Sequence, residues 1–444
     1  MNQIVGSIWW LIVSLGILVT FHEFGHFWVA RKLGVRVLRF SVGFGRPLWR
    51  RTAKSGTEYQ VAMIPLGGYV KFLDEYEGDV PPEQVHEAFN RQSVWRRFAI
   101  VAAGPLFNLI LCVFLLWSMH MLGKSDRLPY VGETTGIAAE SGLHFGDRIL
   151  SVDGKPVPTW SHVYSELVIA AIDHRNVELS VQRDGGAPRE ETLQLSKLPA
   201  DFDQTNPIGA TGLTPRWTYA TVGGFADDSP AKEAGLRQGD QIIGVNGTAV
   251  STWGEMSKAI AANPEGQALS LLVRRDGGSE QIYRLQPRLD NSTAKPRWII
   301  GITQADATVR RMGPIDAMSQ AFADTRDLTA KSLGMIGRLL TGAASVQNMS
   351  GPITIAKGAN ATASIGMDWY LYFLAVISLS LCIMNLLPIP MLDGGHLLYY
   401  GIEGLRGRPL SERAQEFGFR IGLMIVLGLM ILATWNDLVR LQVL

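Results

Sequence analysis

Three long stretches of this 444-residue chain carry no charged side chain: residues 4–21, 98–122 and 369–392. Runs of that length are longer than most globular cores use, and they meet the roughly 18–25 residues a bilayer-crossing helix requires. A fourth stretch, 421–435, is shorter and needs its flanks, with Arg420 and Asp437 near the interfaces, to complete a crossing. These segments predict a multi-pass α-helical membrane protein with four transmembrane helices in a lipid bilayer. They also account for a charged fraction of only 18% at a net charge of +1. That balance excludes a disordered chain and a basic protein that coats nucleic acid.

The basic residues set the expected orientation. No Lys or Arg precedes the first span, and its positive flank (Arg31, Lys32, Arg36, Arg39) lies on the far side, which is not the pattern of a cleaved signal peptide. Twelve Lys and Arg fall between spans one and two, and Arg406, Arg408, Arg413 and Arg420 fall between spans three and four. Basic loops stay cytoplasmic, so both termini and residues 123–367 are expected outside, in the periplasm of a bacterium. Cys112 and Cys382 lie inside spans, so no disulfide framework is expected in the outer region.

That outer region contains a repeat. Residues 142–160 (GLHFGDRILSVDGKPVPTW) align without a gap on residues 235–253 (GLRQGDQIIGVNGTAVSTW) at an offset of 93. Each copy reads as a turn, a short strand and a tight Asp-Gly or Asn-Gly turn. The period suits two α+β domains, not a solenoid with its units of ~20–50 residues. At these residues the pattern resembles the PDZ domain of bacterial periplasmic proteases. The second copy adds Ser229-Pro230-Ala231 and Ala234-Gly235-Leu236, whereas the first departs from it with Gly136-Ile137-Ala138. The resemblance implies capture of peptide ligands by strand addition, and a spacer or steric filter is the other reading. The expected divisions are 1–124, 125–205, 206–295, 296–367 and 368–444.

His22-Glu23-Phe24-Gly25-His26 continues directly from the first span. On a helix, positions i and i+4 share a face, so both imidazoles can reach one Zn²⁺ with Glu23 beside it as a general base. Ionisable groups at membrane depth are costly and point to function. A catalytic zinc also needs a third protein ligand. Asp393 is the first charge after the third uncharged run, within Asn385-Leu386-Leu387-Pro388-Ile389-Pro390-Met391-Leu392-Asp393-Gly394-Gly395-His396. Pro388 and Pro390 exclude a regular helix there, and Gly394-Gly395 permit close backbone approach. His396 competes with Asp393 as the ligand, and a structural helix end is the bland alternative for Asp393. By the charge argument both motifs lie at the cytoplasmic ends of their spans, hence at similar depth.

The ordered set of motifs resembles the bacterial site-2 proteases, which are intramembrane zinc metalloproteases. Further family-like segments are Gly43-Phe44-Gly45-Arg46-Pro47-Leu48, Gly67-Gly68-Tyr69-Val70-Lys71, Gly104-Pro105 with Asn108, and Ser350-Gly351-Pro352. The resemblance implies one Zn²⁺ held by His22, His26 and Asp393, with Glu23 as catalytic base, in the inner membrane. It implies cleavage of the transmembrane segment of a single-pass protein after an earlier periplasmic cut. An anti-sigma factor is the best-known substrate class, and remnant signal peptides are a second. It also implies a membrane-associated β-element across residues 36–72, where strand-like runs 36–42 and 59–63 are joined by Gly-rich turns. Substrate-binding candidates are Gly67, Gly68, Tyr69, Asn385, Pro388 and Pro390. Residues 314–340 read as an amphipathic helix on the periplasmic face, with Met318, Phe322 and Leu328 near-periodic. A non-catalytic scaffold binding peptide ends is the main alternative. It gives no reason to keep buried charge in both motifs. A zinc transporter would spread its ligands along a path.

Overall fold

The computed structural model describes residues 3–440, apart from 77, 184, 201, 203, 205, 217–218, 264–265, 276–277, 291–296 and 306. The chain forms two compact units, Met1–Lys124 with Arg310–Leu444, and Ser125–Val309.

Among the described residues of the first unit, four helices are long and apolar enough to cross a membrane: Gln3–Lys32, Val94–Leu122, Met367–Leu386 and Glu412–Arg440. Lipid is as apolar as leucine, so such helices associate through close fit and a few polar contacts rather than through the hydrophobic effect. Leu18, Leu111, Leu115 and Leu116 interlock with Leu374, Leu379 and Ile383. Inside this packing the Ser378 hydroxyl donates to the Asn108 carbonyl at 2.7 Å. The third uncharged run is not one helix. Its helix stops at Leu386, and the chain leaves it extended at Leu387 (φ −62°, ψ 142°), because Pro388 and Pro390 cannot continue the ladder. The fourth helix does recruit its flanks, from Glu412 to Arg440.

Between the first two spans lie two long bent strands, Val37–Thr52 and Glu58–Phe72. They incorporate Gly43, Gly45, Gly67 and Gly68, which the sequence pattern assigns to turns. Residues 39–42 pair antiparallel with 68–71 and, on their other side, run in the same direction as 58–61. Residues 49–52 pair antiparallel with 58–61. The hairpin thus folds into four sheet segments with residues 68–72 at one edge. Phe27 of the first helix holds the sheet, its ring 5.4 Å from Phe40 and 5.9 Å from Tyr59.

The expected amphipathic helix is Pro314–Thr341. Its buried face is Ala317, Ala321 and Thr325, while Met318 and Phe322 point outward. Small residues win the buried face because the helix packs against the second span. The Trp117 indole donates to the Pro314 carbonyl at 3.0 Å, and His120 pairs with Asp324 at 2.8 Å.

The second unit repeats one architecture. Its first sheet orders the strands Lys155–Pro156, Arg148–Val152, Val177–Gln182 and Arg189–Leu193. Its second orders Thr248–Ala249, Gln241–Val245, Leu269–Arg275 and Ser279–Leu285. Each is crossed by a helix starting at the repeated tryptophan, Trp160–Ile172 and Trp253–Ala261. The tight turns take the left-handed backbone that their sequences suit, with Asp153 and Asn246 at φ 48° and 50° before Gly154 and Gly247. The repeated Asp is buried in both copies. Asp147 pairs with Arg183 and Arg189 at 2.7 Å, and Asp240 with Arg275 at 2.6 Å.

The two cores do not meet at residues 205/206. Ile208 and Leu213 belong to the first core, and Leu213–Pro215 pairs with Val131–Thr134. Ile300 completes the second core, and Ile302–Gln304 pairs with Val222–Phe225. Each domain closes with a strand beyond the aligned repeat, so its end shifts by about ten residues.

Candidate metal centre

The first helix continues through its apolar run, placing the His22 and His26 rings on one face at 4.8 Å between centroids. The third ligand candidate arrives from the far end of the chain. After the break at Leu387, residues 387–392 turn back and helix Asp393–Arg406 begins with Asp393 in its first turn. The turn needs its glycines. A Cβ on Gly394 would lie 2.5 Å from the Leu386 carbonyl, and one on Gly395 would lie 2.5 Å from that of Ile389. Met391 sits at φ 126°, a region that costs a non-glycine residue on the order of 1–3 kcal/mol. The same helix is tied to the second span by Arg97, which meets Glu403 at 2.6 Å and lies 4.9 Å over the Tyr400 ring.

Three donor atoms converge as a result. His22 Nε2 and His26 Nε2 are 3.2 Å apart, and Asp393 Oδ2 lies 3.1 Å from the first and 3.5 Å from the second. A tetrahedral ion with bonds of about 2.0–2.1 Å separates its ligands by about 3.3–3.4 Å. The observed triangle has that size. Asp393 Oδ2 is buried without a hydrogen-bond donor of its own, and His26 Nδ1 lies 2.8 Å from the Ile100 carbonyl. A proton on that Nδ1 leaves Nε2 with a lone pair, as a metal ligand requires. The donor set, spacing and orientation fit Zn²⁺. The His22–His26–Asp393 group is the metal-capable cluster among the described residues. His396 does not join it and stands beside Tyr399 and Tyr400 at 6.3 and 6.5 Å.

The second span crosses the cluster with no side chain between. A Cβ on Gly104 would lie 2.5 Å from His26 Cε1 and 2.8 Å from His22 Cε1, and one on Gly25 would lie 2.5 Å from the Ala103 carbonyl. On the opposite flank, sheet segment 68–72 passes Glu23. A Cβ on Gly68 would lie 3.2 Å from Glu23 Cγ. Gly67 packs against the Phe44 ring, and Tyr69 stacks on Phe44 at 6.2 Å while its hydroxyl meets Arg39 and Gln60 at 3.2 and 3.3 Å. Asn385 occupies the last turn of its helix, with Pro388 and Pro390 in the break that follows. The sequence reading gave no role to Gly25, Gly104, the Ile100 carbonyl or Asn108. Asn108, an amide in the middle of an uncharged span, was the available signal.

A membrane-embedded His/His/carboxylate centre with an adjacent glutamate is the equipment of a zinc metalloprotease. The pattern of Peptidase family M50 matches residues 10–429, and the chain belongs to this family, that of the site-2 proteases. A protein of Xylella fastidiosa (strain Temecula1) described as a zinc metalloprotease is 46% identical over 99% of this chain and 100% of its own length. The regulator of sigma-E protease RseP of Escherichia coli (strain K12) is 42% identical over 97% of this chain and 98% of its own. Protease RseP of Yersinia pestis is 40% identical over 99% and 100%. The chain is a zinc metalloprotease of the membrane.

Proposed function

We propose that His22, His26 and Asp393 hold the zinc through Nε2, Nε2 and Oδ2, and that Glu23 is the catalytic base for peptide-bond hydrolysis within the bilayer. The 3.1–3.5 Å triangle of donor atoms carries this reading. Bound there, zinc would polarise the scissile carbonyl and lower the pKa of a water to roughly 7. Glu23 takes the proton that the attacking water loses and returns it to the departing amine. The substrate is the transmembrane segment of a single-pass protein, unwound because a helix hides its peptide bonds in its own ladder. Among the described residues, segment 68–72 pairs along one edge, with residues 37–42, and it passes Glu23. An extended substrate added there would lie alongside the base, with Gly67, Gly68 and Tyr69 offering backbone contacts. Asn385, Pro388 and Pro390 would face it from the chain break.

The resemblance to site-2 proteases favours as substrate an anti-sigma factor already cut on its periplasmic side, with remnant signal peptides as a further class; two relatives carry the name regulator of sigma-E protease RseP. The basic loops favour an inner-membrane protein with both termini and the repeat domains in the periplasm. Those domains are read as PDZ-like. In the second, Ile302–Gln304 pairs on one side with Val222–Phe225, an arrangement suited to adding a peptide strand. Glu23→Gln is the test. It should abolish cleavage of a model membrane peptide in detergent or liposomes while one zinc per chain remains. Persistent cleavage would remove Glu23 as the base.

A further inference from the structure

An imidazole that coordinates through Nε2 carries its proton on Nδ1 and needs an acceptor there. For His26 that acceptor is the Ile100 carbonyl. For His22 it is not a backbone group: Nδ1 faces the side-chain amide of Asn108, whose Nδ2 stands 3.3 Å away. Two donors cannot share that contact. Asn108 Oδ1, meanwhile, is buried with no partner, and the residue is wholly inaccessible to solvent. The nitrogen and oxygen of an amide exchange by a half-turn about its last torsion and are assigned from the hydrogen-bond network. The half-turn brings Oδ1 to that 3.3 Å contact, opposite the Nδ1 proton of His22.

We infer that Asn108 is the positioning residue for His22, presenting Oδ1 to Nδ1–H so that the Nε2 lone pair points at the metal. This inference rests on His22 being a zinc ligand, as proposed above. Asn108 is well placed for a fixed role, since its own carbonyl accepts from Ser378 on the third span at 2.7 Å. The two histidines are then oriented by one helix, His26 from its backbone and His22 from a side chain eight residues on. Only the side-chain acceptor can be removed by mutation.

The test compares Asn108→Leu, which keeps the approximate volume and removes the acceptor, with Asn108→Asp, which keeps an acceptor oxygen. Purified full-length protein is titrated with a zinc chelator and bound metal is measured by atomic emission. The Co²⁺-substituted protein is read by its visible ligand-field bands. We expect Asn108→Leu to bind zinc about 10–100-fold more weakly with altered cobalt bands, and Asn108→Asp to remain within a few-fold of wild type. Wild-type affinity in Asn108→Leu would overturn the inference. So would equal losses in both variants, which would mark a packing role. Melting temperatures identify a variant that has simply lost its fold; in that case Asn108→Ala, which removes the acceptor with a smaller side chain, replaces Asn108→Leu, and unchanged cobalt bands there overturn the inference. His22→Ala separates the two readings. If it retains zinc, the ligand assignment fails; if it loses zinc while Asn108→Leu does not, only the role of Asn108 fails.

Discussion

Gly104→Ala adds one methyl group and should disable the metal centre. The new carbon would sit 2.5 Å from His26 Cε1 and 2.8 Å from His22 Cε1, whereas carbon atoms in contact rest at about 3.5–4.0 Å. The rings must therefore shift, or the second span move away from the first helix that carries them, by about 1 Å. Zinc bond lengths tolerate about ±0.2 Å, and a misplacement of about 1 Å in a reacting site costs on the order of 10²-fold in rate. Overpacking of this kind destabilises by about 1–3 kcal/mol, too little to unfold a unit held by four spans. The expected phenotype is a folded protein with at least tenfold weaker zinc retention under chelator and at least a hundredfold slower cleavage of a membrane peptide. Gly16→Ala lies on the first helix, which carries both histidines, with nothing within 4 Å of the new carbon, so it should match wild type in both assays. If Gly104→Ala retains zinc and activity, the close approach of the first two spans does not build the site.

Further expectations follow from other contacts. Burial alone would raise the Asp240 carboxyl, but the Arg275 guanidinium and the Arg237 amide more than reverse this and hold it below the usual carboxylate range; Arg183, with the His144 amide, does the same for Asp147. Both groups bind protons more readily when unfolded, so their stabilisation is complete above about pH 4. It should disappear as pH falls through the depressed native values. Melting temperature against pH for Asp240→Asn should show a flatter acid limb than wild type, and identical limbs would refute the linkage. At the other end of the last span, Asp437 accepts from the amides of Gly351, Ile353 and Thr354 at 3.1, 2.8 and 3.0 Å. Asp437→Ala should cost helix Pro352–Ile365 about 1–2 kcal/mol and speed amide exchange in its first turn, with little effect on exchange in the second span.

The elements most legible in the sequence were those whose signal is local. The i, i+4 histidines, the charge-free runs, and the Asp-Gly and Asn-Gly turns each depend on a few neighbouring residues, and each has the expected local form. The β-element was harder. Gly43, Gly45, Gly67 and Gly68 read as turn residues, and Gly43, Gly45 and Gly67 do take φ of 92°, 88° and 139°, but there they bend two continuous strands so that the hairpin folds over itself instead of ending a strand. The helix Pro314–Thr341 was legible from its periodicity, but its packing face was not: against the second span Ala317 and Ala321 fit, while Phe322 stays exposed. Domain ends were displaced because the closing strands Leu213–Pro215 and Ile302–Gln304 lie outside the stretch that repeats clearly. Asn108 stands in a family-like segment but without a legible role, and the Ile100 carbonyl carries no signal at all, since their relation to the histidines exists only once the first two helices pack.

The proposed ligand cluster joins residues 22 and 26 to residue 393, near the two ends of the chain. The ribosome has released the first histidines long before the aspartate is made, so the nascent chain cannot assemble the three-ligand centre. Nor can a product that ends within the repeat domains. Proteolytic competence therefore waits for the third span and the turn beyond it. A cell inserting this protein thereby avoids a period in which an immature chain could cut neighbouring membrane helices. A three-ligand hold on the metal must then follow synthesis of residue 393, and measuring when zinc first resists chelation in a stalled-translation series would date it.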